Sequence, residues 1–127
     1  MLGGMLAAMQ IDHMVVVFDA ADLTAESSFW AAVLGATVDA DDDWHRVQVD
    51  DRTVVAVQLA PDHVPPQWPD GPMRQQIHLD VWVDDFPAAH AEVVRLGALV
   101  LQDARPGDDF AVYADPAGHP FCLCFDV

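Results

Sequence analysis

The sequence predicts an α+β fold in which two pseudo-symmetric βαβββ modules form a curved mixed sheet, a partly closed barrel around a cleft. Three observations predict it. Strand and helix signals occur twice in the same order, over residues 11–60 and again over 77–127. Leu34-Gly35-Ala36-Thr37-Val38 is echoed by Leu96-Gly97-Ala98-Leu99-Val100, and His13 by His78. Between the halves, residues 61–76 hold Pro61, Pro65, Pro66, Pro69, Gly71 and Pro72, too many breakers for regular structure. A period of about 64 residues present only twice is too long for a solenoid and reads as duplication.

Taken in order, Ile11 to Phe18 is β-branched and apolar, as a buried strand is. Thr24 suits a helix N-cap, Trp30, Val33 and Leu34 fall on one helical face, and Gly35 ends the helix. Strands follow at Ala36–Ala40, Trp44–Val49 and Thr53–Ala60, with turns at Asp41-Asp42-Asp43 and Asp50-Asp51-Arg52. In the second half, Ile77–Val83 is a strand. Asp85 caps a helix opened by Pro87 and closed by Gly97. Ala98–Gln102, Phe110–Ala114 and Phe121–Phe125 complete the set.

With 127 residues the chain has room for one domain, spanning 11–127, and no second core. Met1–Gln10 is mildly apolar without Lys or Arg and is expected to be a ragged N-terminal extension, not a secretory signal. Five arginines, no lysine and 21 acidic residues give a net charge of −16. That balance repels phosphate backbones and anionic lipid, so nucleic acid and membranes are excluded as expected partners. Asp41, Asp42 and Asp43 lack the spaced ligands and closing Glu of a calcium loop. Cys122 and Cys124, one residue apart on a strand, share a face and suit a disulfide badly, so the expected location is cytoplasmic.

The opening His13, the helix end Phe29-Trp30-Ala31-Ala32-Val33-Leu34-Gly35, the strand Ile77-His78-Leu79-Asp80-Val81-Trp82-Val83-Asp84 and the closing Asp115-Pro116-Ala117-Gly118-His119-Pro120-Phe121-Cys122-Leu123 together resemble the vicinal oxygen chelate superfamily. This superfamily includes glyoxalase I, ring-cleaving dioxygenases and bleomycin-resistance proteins. The likeness runs from Ile11 to Val127 and is nearest to short glyoxalase-like bacterial proteins. It implies metal ligands at His13, Gln58, His78 and Cys122. Gln58 and Cys122 stand where such enzymes typically carry Glu. The resemblance also implies a homodimer.

Losing both carboxylates removes the hard anionic ligand and mobile base that a glyoxalase or dioxygenase metal needs. The leading expectation is therefore a glyoxalase- or bleomycin-resistance-like protein that binds a small, partly apolar molecule without a catalytic metal. The alternative is a metal-dependent lyase, isomerase or dioxygenase using His13 and His78, with zinc, nickel, manganese or iron. Cys122 itself reads as a pocket-lining residue, a metal ligand or a reactive thiol.

Alternation places His78, Asp80 and Trp82 toward the cleft, with Ile77, Leu79, Val81 and Val83 under the helix. It turns Val54, Ala56 and Gln58, and Cys122 and Cys124, inward as well. His78 and Asp80 are the candidate proton-transfer pair; Gln58, Trp82, Cys122 and Arg74 are candidate ligand contacts. Trp68 is expected to anchor the connector. His45, His63 and His90 read as surface or loop residues, and His119 as a turn residue.

Overall fold

In the computed structural model, which describes residues 9–126, the first module is β1 (Val16–Ala20), α1 (Leu23–Leu34), β2 (Thr37–Ala40), β3 (Trp44–Val49) and β4 (Arg52–Leu59). The second is β5 (Leu79–Trp82), α2 (Phe86–Leu96), β6 (Leu99–Gln102), β7 (Phe110–Ala114) and β8 (Pro120–Cys124). Residues 1–8 of the expected extension lie outside the described residues. Each module is a four-stranded mixed sheet, ordered β1-β4-β3-β2 and β5-β8-β7-β6. In both, the first strand runs parallel to the last and the other pairings are antiparallel. The two sheets remain separate sheets and do not close into a barrel.

The helix ends follow local chemistry. Asp22, not Thr24, caps α1: its carboxylate accepts from the Ala25 N–H at 3.0 Å, and an aspartate is as good a cap as threonine and stands where the chain turns. Asp85 caps α2 in the same way, accepting from Ala88 at 3.1 Å. Gly35, with φ of 63°, closes α1 in the left-handed conformation that a side chain would disfavour. The first strand starts at Val16, later than expected, because Ile11 to Met14 are exposed and have no ladder partners.

One apolar core joins the modules. Phe18, Phe29, Trp30, Val47 and Val55 of the first pack with Val93, Ala111, Tyr113, Phe121 and Leu123 of the second. Trp30 and Phe29 both meet the Phe121 ring, at 5.2 and 5.7 Å between centroids. Leu79, Val81 and Val83 pack against this core as expected, whereas Ile77 lies before the strand and is exposed.

A clasp of polar groups crosses the same seam. The turn between β7 and β8, Asp115 to His119, carries it. Trp30 Nε1–H donates to Asp115 Oδ2 at 2.9 Å, and the Ala117 N–H donates to Glu26 Oε1 at 2.9 Å. His119 Nε2 sits 2.7 Å from the Asp19 carbonyl, and His63 Nε2 2.9 Å from the Ala117 carbonyl, which ties down the connector. Both imidazoles must donate there, since a carbonyl only accepts. The histidines expected at the surface are therefore largely structural. His45 is buried and bonded to Ser27 at 2.8 Å, and His90 meets the Tyr113 hydroxyl at 2.7 Å.

Candidate functional site

The face of the second sheet turned away from the shared core holds the site. Strand pairing lays its side chains out in rows. Asp80, Cys122 and Val112 form one row, and Trp82, Cys124 and Phe110 the next. His78 precedes the Asp80 row by two residues, on the same face. The connector covers one side with Trp68, which packs on Cys122 and Cys124, and with Gln75. Together these residues, with Asp109 and Pro120, line a cavity of about 370 Å³. Such a volume lies within the range of small-molecule sites, about 300–1,000 Å³.

His78 Nε2 lies 3.2 Å from Asp80 Oδ1, both about half-exposed at the cavity wall. Cys122 lies deeper. Burial pushes its thiol up to about 12, and the charges of Asp80 and Cys124 act in the same direction. Cys124 is raised too, by burial first and then by Asp80 and Asp109. Both sulfurs therefore face the cavity as neutral thiols at neutral pH, which disfavours a reactive thiolate. Both cysteines are unbridged, as their spacing predicts.

Of the residues singled out in the sequence, the structure brings His78, Asp80, Trp82, Cys122 and Cys124 together. It places others apart. His13 sits ahead of β1, its Nδ1 2.6 Å from Asp12 Oδ2, beside Asp51, Arg52 and Thr53. Gln58 is exposed on the equivalent face of the first sheet, in a row with Asp19 and Trp44. Val54 and Ala56 share that face and do not line the cavity. Arg74 lines a neighbouring hollow with Pro72 and Met73. Trp68 is both anchor and lining. Phe110, Asp109 and Gln75 went unnoticed in the sequence. Phe110 was legible, since it alternates with Val112 on β7; Asp109 and Gln75 lie in loops, where no periodicity points inward.

A donor set for a metal exists within this face. His78, Asp80 and Cys122 each offer one ligand atom, all within 4.8 Å of one another. Nitrogen, oxygen and sulfur donors suit zinc, so these residues fit such an ion.

Comparison with known proteins agrees with the architecture. A family model described as a glyoxalase-like domain matches residues 15–124, and the chain belongs to that family. Several of its solved structural neighbours carry glyoxalase, bleomycin-resistance or dioxygenase names, the kinds of protein that the motifs resemble. A glyoxalase-related enzyme from Fulvimarina pelagi shares 19% identity over 91% of this chain and 89% of that one, with a TM-score of 0.65. The fosfomycin resistance protein FosX from Mesorhizobium loti shares 18% over 93% and 94%, also at 0.65. The bleomycin-binding protein from Streptomyces verticillus, solved with copper(II)-bleomycin, shares 19% over 94% and 100%, at 0.54. At such identities the likeness is one of fold. No curated protein matches the chain.

Proposed function

We propose that this glyoxalase-like chain binds a small, partly apolar molecule in the cavity on the open face of its second sheet, without a catalytic metal. The observation that carries the reading is Trp82. It stands 64% exposed on a strand, within a formed cavity beside Trp68 and Phe110. Exposed tryptophan is costly, and covering the ring with a ligand returns about 3 kcal/mol at ~25 cal/mol per Å² of apolar surface. His78 and Asp80, paired at the rim, supply the one arrangement here suited to moving a proton on the bound molecule. The test is a small-molecule screen by calorimetry. Hits should lose about tenfold or more in affinity on Trp82→Ala, a substitution the fold tolerates because the ring is exposed. Hits indifferent to Trp82 and to His78→Ala would refute this placement.

A second reading rests on the donor set. Zinc held by His78, Asp80 and Cys122 would supply Lewis-acid polarisation of a bound oxygen, with Trp82 and Phe110 orienting the rest of the molecule. Elemental analysis of protein purified without chelator separates the two. Stoichiometric metal that is lost on His78→Ala favours the second.

We place the protein in the cytoplasm, a reading supported by the free thiols of Cys122 and Cys124. No helix among the described residues is long and apolar enough to cross a membrane. A homodimer is part of the same reading. The open face of the first sheet carries exposed Val17, Val54 and Gln58, and a second copy presenting it to the cavity would complete the cleft. Sedimentation should give a dimer at micromolar concentration; a clean monomer would refute this.

A further inference from the structure

We infer that the molecule this cavity accepts is a small organic cation, an ammonium or quaternary ammonium carrying an apolar or aromatic group. The inference rests on the cavity being a binding site, as proposed above, and adds the chemical class of its occupant. Three features of the lining point to it.

The first is the sign of the charge. Asp80 and Asp109 line the cavity, and neither lysine nor arginine does. The chain has no lysine, and three of its five arginines are engaged elsewhere. Arg46 pairs with Asp39 and Asp41, Arg95 with Glu92, and Arg105 with Asp108. Both carboxylates belong to the lining of this one cavity. Only His78 stands against Asp80. A carboxylate or phosphate entering here would meet two carboxylates and no fixed cation, within the field of a chain of charge −16.

The second is the wall. Trp68, Trp82 and Phe110 supply three aromatic rings. Aromatic faces carry negative electrostatic potential and attract cations, tryptophan most strongly. A neutral apolar ligand would use the same rings but offer nothing to Asp109 and leave Asp80 with His78 alone. The third is size. About 370 Å³ holds a single-ring molecule with its charged group, and the carboxylates lie on opposite sides of the cavity floor, one in β5 and the other just before β7.

The test is calorimetry with three matched probes at about pH 8: phenyltrimethylammonium, N,N-dimethylaniline (uncharged there) and benzoate. The cation should bind about tenfold or more tighter than the neutral amine, and benzoate should not bind. Added salt should weaken the cation alone. In the isosteric double variant Asp80→Asn, Asp109→Asn, the preference for the cation over the neutral amine should vanish while the neutral amine keeps its affinity. Trp82→Leu, at an exposed ring, provides a second variant and should weaken the cation more than the neutral probe. Neutral amine or benzoate binding as tightly as the cation would overturn the cation assignment and leave the cavity standing. No binding by any of the three would overturn both.

Discussion

Replacing Glu26 by glutamine is expected to stabilise the protein, and to do so more as the pH rises. Glu26 is fully buried in α1 against the Asp115 turn, and its Oε2 has no hydrogen-bond partner. Desolvation, followed by the neighbouring Asp115 carboxylate, drives its pKa from 4.5 up to about 10. A proton on Oε2 resolves both problems, because it removes the charge and gives that atom a bond to make with Asp115. The folded state therefore holds this proton where the unfolded chain releases it. For an acid raised in this way, stability is full below about pH 4.5 and drains away as pH rises toward 10, at about 1.4 kcal/mol per unit. At pH 7 the accumulated cost is on the order of 3 kcal/mol. Glutamine keeps the oxygen that accepts from Ala117 and an N–H for Asp115, and it has no proton to lose. Glu26→Gln should match the parent near pH 5 and exceed it by a few kcal/mol at pH 7, roughly 10 °C in Tm for a chain of this size. Urea unfolding of both proteins across pH 5–8 measures the difference. A gap that stays flat with pH, or a variant less stable at pH 7, would refute the protonated Glu26.

Other outcomes follow from the same contacts. Trp30→Phe removes the Nε1–H that Asp115 accepts at 2.9 Å and should cost about 2 kcal/mol by leaving a buried carboxylate short of a donor, read by urea unfolding. Gly118→Ala should cost about 1–3 kcal/mol, since φ is 91° there and a Cβ would lie 2.4 Å from the Pro65 Cβ; loosening of the connector should show as faster proteolysis within 61–76. Iodoacetamide should label Cys122 in the folded protein on the order of a thousandfold more slowly than in urea at pH 8, because a thiol raised to about 12 is almost wholly protonated. Labelling at the rate of a free thiol would contradict the buried setting.

Much of the candidate site was legible in the sequence. Period-2 alternation put His78, Asp80 and Trp82 on one face of β5, and Cys122 and Cys124 on the matching face of β8, and the parallel pairing of those strands made them neighbours. What alternation cannot carry is the contribution of loops. Trp68, Gln75 and Asp109 join the cavity because the connector folds over the sheet, and no local rule reports where a proline-rich segment lands. The metal donor set differs for a related reason. The expected set took one pair from each module, whereas the neighbours that the structure supplies within one chain are His78, Asp80 and Cys122.

The seam between modules was the least visible part. His45, His63, His90 and His119 looked like surface or turn residues, yet His119 bonds across the seam, His63 ties the connector to the second module, and His45 and His90 bond inside their own modules. Glu26, fully buried, carries no sign of that in the sequence either. Polar side chains in a sequence carry no mark of burial, because burial depends on what a distant segment presents to them.

The order of residues alone determined the two βαβββ modules, the Asp85 cap and the glycine ends of the helices, the turns, and which side chains share a strand face. Those features arise from short-range sterics and hydrogen bonding, which act within a few residues. Only the tertiary structure decided that the sheets stay separate, that Glu26 meets Asp115 across the seam, and that the cavity belongs to the second sheet and the connector. These outcomes come from contacts between segments up to 100 residues apart, such as Asp19 with His119, where packing of the common core and not local preference sets the geometry.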